Sequence, residues 1–390
     1  MRQVVAVLLL CLVVLGYTPD ASYAQATGES IVESQMQRLD LSQVEAFWKN
    51  LVQDYKGYLP GIEQPGIVPL IMNGGQEFSI NQVMTGFLKY LFHELLINGK
   101  LLGTIIIITV FAMILETMQN AFEKNAVSKT AYSIAYLVLI ILAINSFRVA
   151  ISYAQGAITD MVNFMQALMP LVLALLASTG NITSVAMFHP LIILMINISG
   201  TIISTIIFPL LFLSAVLSVV SSFSDKYQVT RLATLLRNFS LGLLGAFLTA
   251  FLGILSVQGA TSAVADGITV KTAKFVASNF VPVVGRMFSD ATDTVLGASL
   301  LVKNSVGVVG VVILLLLCAF PAIKIFALSF VYQFSSAIMQ PLGNSPIISC
   351  LSTIGKNMMF VFAALATVCL MFFLALTVII TAANISVMVR

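Results

Sequence analysis

The side chains best able to do chemistry in this sequence lie between residues 259 and 304. Asp290 and Asp293 are three residues apart, so a helix would bring both carboxylates to one face, where they could hold a divalent cation. Enzymes that build polyprenyl chains use such motifs in pairs, but this sequence has no second aspartate cluster. His93 and Glu94 begin like a zinc-protease HExxH motif, yet Ile97 stands where the second histidine is required. The support for metal chemistry is therefore weak.

Other catalytic motifs are absent from the sequence. It contains neither a GxSxG nucleophile elbow nor a P-loop with its lysine, so we expect no nucleotide hydrolysis by this chain alone. The four cysteines form no CxxC motif and are interpreted as small buried hydrophobic residues. We therefore predict that the chain is not an enzyme and has no catalytic residues, no metal site and no cofactor.

The segment 259–304 is too polar to span lipid and too apolar to be an ordinary loop. Small residues alternate with isolated charges, which is typical of helices that lie in the membrane interface or line a wet cavity. Two interpretations remain open: an interfacial elbow between two spans, or an element that faces a pore or docks a partner. The candidate residues for the second are Asp266, Lys271, Lys274, Arg286, Asp290 and Asp293.

The composition requires lipid as the solvent for most of the chain. Of the 390 residues, 59% are hydrophobic and only 9% are charged, with a mean hydropathy of +1.02. A water-soluble fold of this length could not bury so much apolar surface, and the apolar runs are continuous rather than alternating. A net charge of +3 without a basic run gives no reason to expect nucleic acid as a partner.

The first 24 residues are predicted to be a cleavable signal peptide. Arg2 supplies a positive start, Val4 to Leu15 is apolar, and small residues around Ala24 fit a cleavage site. The following segment, 25–97, then lies outside the cytoplasm as a small helical region with an amphipathic lead-in. Helical spacing of apolar residues predicts a helix from about residue 41 to 55.

Hydropathy predicts an all-α polytopic protein with about seven or eight spans, in a first bundle at 98–258 and C-terminal helices at 305–390. Residues 188–223 are short for two crossings and long for one, so we predict a hairpin or re-entrant pair with helix breaks at Pro190 and Pro209. The other spans are predicted near 98–118, 131–152, 161–178, 239–258, 305–327 and 358–382. With the N-terminus outside, the positive-inside rule puts the loops 120–130 and 224–238 in the cytoplasm.

A series of short motifs, in order along the mature chain, resembles the stage III sporulation protein AE family. They are YLFHE at 90–94, NGKLLGT at 98–104, AYSIAY at 131–136, LALLAS at 173–178, FHP at 188–190, VQGAT at 257–261, DGIT at 266–269, TAKF at 272–275, GRMFSDATDT at 285–294, FPAIK at 320–324 and QPLG at 340–343. The resemblance covers nearly the whole mature chain.

The resemblance implies a role in endospore formation, in the mother-cell membrane around the engulfed forespore. Members are regarded as the permease-like component of a trans-envelope complex, likened to a secretion system, that sustains late forespore transcription. It implies sibling stage III sporulation proteins as partners, including a separate ATPase, and a forespore-side membrane partner. The family has no established catalytic residues to carry over.

Two other functions compete with that of a channel component. The first is a self-sufficient secondary transporter, favoured by the broken helices and by a faint repeat between LATLLRN at 232–238 and LSTIGKN at 351–357. The second is an intramembrane enzyme that acts on lipid or polyprenyl substrates through Asp290 and Asp293. Few ionisable residues lie within the predicted spans, which argues against both.

Overall fold

The computed structural model describes residues 39–59, 66–72, 80–121, 126–223, 229–280, 284–343 and 345–388, so the predicted signal peptide lies outside the described residues. Within these ranges the chain is almost entirely helical and has no β-strand. Its α-helices are α1 (Ser42–Asp54), α2 (Ile67–Met72), α3 (Ile80–Ile97), α4 (Gly99–Ala121), α5 (Ala126–Ser178), α6 (Ile182–Ile202), α7 (Phe208–Phe223), α8 (Thr230–Phe280), α9 (Val284–Met339) and α10 (Pro346–Met388).

Six helical stretches of the described chain are long and apolar enough to cross a membrane. Helices that are apolar around most of their circumference are stable only in lipid or inside protein, where their backbone hydrogen bonds are satisfied internally. The prediction of an all-α polytopic membrane protein is confirmed. The stretches are Gly99–Gln119, Val127–Ser178, Ile182–Ser222, Thr230–Gly259, Leu296–Leu342 and Pro346–Thr381.

Two predicted spans, 131–152 and 161–178, belong to a single helix. Helix α5 runs unbroken for 53 residues, about 80 Å, with Pro170 inside it. A proline is tolerated there because neighbouring helices and local adjustments satisfy the backbone groups that it frees. Since the hydrocarbon core of a bilayer is about 30 Å thick, α5 extends well beyond a single crossing.

The structure also differs from the hairpin predicted for residues 188–223. Helix α6 continues through a π-helical segment, Ile203–Ile207, directly into α7. Pro190 lies inside α6 and does not break it, whereas Pro209 is the second residue of α7, immediately after the π segment. The Gln155 amide of α5 donates a hydrogen bond to the Ser204 carbonyl at 3.3 Å, so a neighbouring helix supports the irregular turn.

Helices α5 and α10 form the centre of the bundle, and small residues bring α10 close to α9. The Ser329 hydroxyl of α9 donates a hydrogen bond to the Gly355 carbonyl of α10 at 2.7 Å. A Cβ at Gly355 would lie 3.1 Å from the backbone carbonyl oxygen of Ser329 and 3.2 Å from the backbone nitrogen of Gln333. Such close approach through small residues is the usual way in which helices pack within lipid.

Replacing Gly355 with alanine should destabilise this crossing, because two of the nearest atoms belong to the backbone of α9 and cannot rotate away. We expect a loss on the order of 1–3 kcal/mol, measured as a lower apparent melting temperature of the purified protein in detergent. Gly103→Ala in α4 is the control, since a Cβ there meets nothing within 4 Å. An unchanged melting temperature for Gly355→Ala would contradict the packing described.

Helices α8 and α9 continue together beyond the bundle as a helical hairpin. A Cβ at Gly259 of α8 would lie 2.9 Å from the Val378 side chain of α10, and the Lys303 ammonium of α9 donates a hydrogen bond to the Ile380 carbonyl of α10. Gly259 and Lys303 therefore lie at nearly the same height along the bundle. From there each arm runs about twenty residues, roughly 30 Å, to the connection at 281–283. Since α10 ends at Met388, only eight residues after Ile380, both arms are longer than the part of α10 beyond this height. We call residues 260–280 and 284–302 the long hairpin.

Candidate conduit and docking site

All six candidate charged residues lie on the long hairpin, three on each arm. Lys274 on α8 and Asp290 on α9 are equally distant from the connection, and so are Lys271 and Asp293. In an antiparallel pair of helices, residues equally distant from the turn lie at the same height. From this count we expect the two lysines of one arm to lie level with the two aspartates of the other. Arg286 lies in the first turn of α9, near the tip.

Asp266 is the candidate whose side-chain surroundings the structure describes. Its two carboxylate oxygens accept hydrogen bonds from the backbone amides of Thr183 and Ser184, each at 2.9 Å, and the residue is buried. These amides belong to the first turn of α6, whose first N–H groups have no partner within the helix. Asp266 thus caps α6 from a different helix.

The turn before α6 makes this cap possible. Gly180 adopts a left-handed φ of 81° between Thr179 and Asn181, and the Asn181 amide donates a hydrogen bond to the Thr179 hydroxyl at 2.6 Å. The Asn181 side chain does not cap α6, so the first backbone amides of α6 are available to Asp266. A carboxylate is well suited to the position, because the N-terminus of a helix carries partial positive charge. The base of the long hairpin is thereby fixed to the α5–α6 turn.

Lys303 is a buried charged residue that the sequence analysis did not single out. It lies in α9 inside the apolar stretch Leu296–Leu342, is 0% exposed, and its ammonium group donates a hydrogen bond to the Ile380 carbonyl of α10 at 2.8 Å. Ionisable groups within membrane segments are costly and tend to be functional. The available signal was an isolated lysine after Leu300-Leu301-Val302, but the predicted span began only at residue 305.

Polar side chains also connect helices within the apolar stretches. The Gln166 amide of α5 donates a hydrogen bond to the Asn197 side-chain oxygen of α6 at 2.8 Å. At the other end of the bundle, the Ser345 hydroxyl donates to the Glu116 carboxylate of α4 at 2.6 Å. Such bonds join helices in lipid, where few other polar partners are at hand. Among the described residues, no group of three or more potential metal ligands occurs.

The N-terminal helices pack on the bundle through aromatic side chains. The Tyr55 ring stacks on Phe320 of α9 with the centroids 3.7 Å apart, and Tyr90 of α3 meets both rings edge-on. Phe47 of α1 packs edge-on against Phe164 of α5, beside the fully buried Trp48. Burial, helped by the nearby carboxylates of Asp54, Asp160 and Glu94, raises the pKa of Tyr55 to about 12. This tyrosine therefore stays neutral where it docks.

Alkaline pH should release α1 from the bundle. The pKa of Tyr55 is about 12 when docked and about 10 when free, so its contribution to docking is complete below pH 10 and is lost as the pH rises through 12. Tyr55→Phe keeps the stacking and should move the transition to higher pH. The fluorescence of Trp48, the only tryptophan, measures it directly. Identical pH curves for the variant and the wild type would show that Tyr55 does not control docking.

The described part of the chain is thus a polytopic α-helical membrane protein with a helical hairpin that extends beyond its spans. Residues 64–383 match the family described as stage III sporulation protein AE. A protein named stage III sporulation protein AE from Bacillus subtilis (strain 168) is 53% identical over 364 residues, which cover 93% of this chain and 91% of that protein. The chain belongs to the stage III sporulation protein AE family. No solved structure matches it.

Proposed function

We propose that this chain is the permease-like membrane component of a trans-envelope, secretion-like channel complex that links the mother cell and the forespore. In this role it is needed for late forespore gene expression and lies in the mother-cell membrane around the forespore. The observation that carries the proposal is the long hairpin, which is continuous with two apolar helices and extends roughly 30 Å beyond the contacts of Gly259 and Lys303. It gives a membrane protein a long helical element that could dock partners outside the bilayer.

The proposed partners are sibling stage III sporulation proteins, including a separate ATPase, and a membrane protein on the forespore side. The sequence has no P-loop, which fits an arrangement in which another subunit supplies the energy of nucleotide hydrolysis. In this proposal the chain itself catalyses no reaction. Charged residues of the long hairpin, namely Lys271, Lys274, Arg286, Asp290 and Asp293, contribute to docking.

The proposed orientation has the N-terminus, the long hairpin and the C-terminus outside the cytoplasm. The eight crossings predicted from the sequence and the six apolar stretches of the structure are both even numbers, because one crossing is lost in α5 and one across α6 and α7, and this supports placing both termini on the same side. Two losses leave the parity unchanged. The basic residues Lys129 and Arg231 then lie on the cytoplasmic side, as the positive-inside rule requires.

Labelling of single introduced cysteines tests this orientation. In intact protoplasts of vegetative cells that express the chain in their cytoplasmic membrane, a membrane-impermeant maleimide should modify Thr272→Cys on the long hairpin and reach Lys129→Cys only after permeabilisation. Both positions are exposed, whereas Cys318, Cys350 and Cys369 are buried. The reverse labelling pattern would invert the proposed topology.

Flux measurements on reconstituted protein distinguish a complex component from a self-sufficient transporter. The transporter alternative draws support from the buried Lys303 and from the Gln166–Asn197 bond within the spans. We expect the purified chain alone, in liposomes, to give no more solute or ion leakage than protein-free liposomes. Selective flux through the chain alone would favour the transporter and contradict the proposal.

A further inference from the structure

Six buried polar side chains form a seam where α4, α5, α9 and α10 meet. The seam lies near the end of the bundle that carries Lys129 and the connection 340–345, which we call the inner end. Docking through the long hairpin gives these side chains no role. They are at most 7% exposed, and we call them the polar seam: Thr109, Tyr136, Ser146, Tyr332, Ser345 and Cys350.

The polar seam begins at Glu116, near the inner end of α4. The Ser345 hydroxyl donates a hydrogen bond to the Glu116 carboxylate at 2.6 Å. Cys350 follows in the second turn of α10. Its sulfur lies close to the hydroxyl groups of Tyr136 and Tyr332, so polar groups of α5, α9 and α10 meet at this height.

The seam reaches far into the bundle. The Ser128 hydroxyl of α5 donates a hydrogen bond to the Leu115 carbonyl of α4, so Ser128 marks the height of Glu116. At the far end of the seam, the Tyr332 hydroxyl donates to Ser146 of α5 at 2.8 Å. Residues 128 and 146 are separated by about 27 Å of helix. Polar groups thus continue over most of the length of α4.

The Thr109 hydroxyl lacks a protein partner. Thr104 and Thr117, on the same helix, each donate a hydrogen bond to the carbonyl four residues earlier. Thr109 is 0% exposed, and its hydroxyl has no hydrogen-bond partner among the described residues. Ile105 and Ala112, on the same face of α4, are also fully buried, so this face points into the bundle. A buried hydroxyl without a partner costs free energy that a bound water recovers.

Helix α4 forms the wall of the seam that is easiest to displace. Ile108 of α4 and Ala135 of α5 line one groove on the outside of the bundle, so Thr109 and Tyr136 lie at nearly the same height. The groove separates the two helices at this height. A Cβ at Gly103 would also meet nothing within 4 Å. Movement of α4 away from α5 would therefore open the seam while breaking few close contacts.

We propose that the polar seam is a water-accessible pathway that opens at the inner end of the bundle and admits water and small polar solutes as far as Ser146. Polar side chains inside membrane bundles face such cavities and mark the paths of polar solutes. From Leu328 outward to Val306 on α9, the buried side chains are apolar, Cys318 among them. The pathway therefore ends inside the bundle, and the chain alone forms no pore. This inference goes beyond the proposed function and does not depend on it.

Three native cysteines test the pathway without any change to the seam. Cys350 lies in the seam, whereas Cys318 and Cys369 are buried roughly 20–30 Å further outward along α9 and α10. Methanethiosulfonates react with the thiolate, which forms far more readily in water than in an apolar interior. A small, membrane-impermeant, cationic methanethiosulfonate should modify Cys350 in membrane vesicles roughly tenfold faster than Cys318 or Cys369. Peptide mass mapping measures the three rates.

The side of the reaction is also specified. Cys350 should react from the side of the membrane on which Lys129→Cys is labelled, because Lys129 lies at the inner end. This comparison holds whichever way the chain is oriented, so it is independent of the proposed topology. Equal rates at all three cysteines, an unreactive Cys350, or reaction only from the side of Thr272→Cys would overturn the proposal.

Thr109→Val gives a second measurement, because it keeps the shape of the side chain and removes the hydroxyl that water would bind. We expect Cys350 to react several-fold more slowly in this variant, with an unchanged or higher melting temperature. Thr109→Ser keeps the hydroxyl and should react at nearly the wild-type rate. A wild-type rate for Thr109→Val would show that water does not enter along Thr109, and would overturn the proposal too.

Discussion

Replacing Asp266 with alanine is expected to destabilise the protein by about 3 kcal/mol and to abolish spore formation. The change leaves the part-buried amide of Thr183 and the buried amide of Ser184 without their carboxylate, and an unsatisfied buried group costs on the order of 1–3 kcal/mol. It also releases the base of the long hairpin from α6. The apparent melting temperature in detergent and the abundance of the protein in sporulating cells measure the loss.

Two matched variants separate the capping role of Asp266 from a docking role. Asp266→Asn keeps one acceptor oxygen and should retain part of the stability, whereas Asp290→Ala, further along the hairpin, should leave the melting temperature unchanged. If Asp266→Ala folds with wild-type stability but fails to support sporulation, the carboxylate acts on a partner and not as a cap. Normal stability and normal spore yield together would refute both roles.

Replacing Lys303 with methionine should impair function without reducing the amount of folded protein, in contrast to the loss of stability expected for Asp266→Ala. The methionine fills the space of the lysine stem without a charge, and it removes a buried ionisable group from the outer end of an apolar helix, where Lys303 lies level with Ile380. We therefore expect normal or higher protein abundance, with spore yield reduced by roughly tenfold or more if this ammonium group is functional. Heat-resistant colony counts and immunoblots measure the two quantities.

Lys303→Arg is the control for this experiment, because it keeps the charge and the ability to donate a hydrogen bond to the Ile380 carbonyl. It should restore a substantial part of the spore yield. Normal sporulation by Lys303→Met would mean that the buried lysine only joins α9 to α10. Loss of the protein itself would mean that this bond is needed for folding.

The sequence predicts the fold class well because hydropathy reports directly on the solvent of each helix. The start of the first span at residue 98 and the helix from about 41 to 55 agree with α4 and α1. The number of spans could not be predicted in the same way, since prolines such as Pro170 and Pro190 end helices in water but are accommodated within lipid or protein.

The surroundings of the candidate site depend on contacts that are distant in the sequence. Asp266 reaches amides more than eighty residues away, and Lys303 reaches a carbonyl 77 residues away. No local pattern reports such pairings. The charged segment 259–304 was nevertheless identifiable, because its isolated charges stand out against the apolar runs on both sides. Its helical hairpin shape follows only once α8 and α9 are seen as continuous helices.

The most direct test of a channel component is deletion of this gene in its endospore-forming host, followed by measurement of a late forespore transcription reporter after engulfment. The proposal predicts normal engulfment, then a silent reporter and shrinking forespores, with rescue by the wild-type gene. Unimpaired late transcription and normal spores would contradict the proposed role.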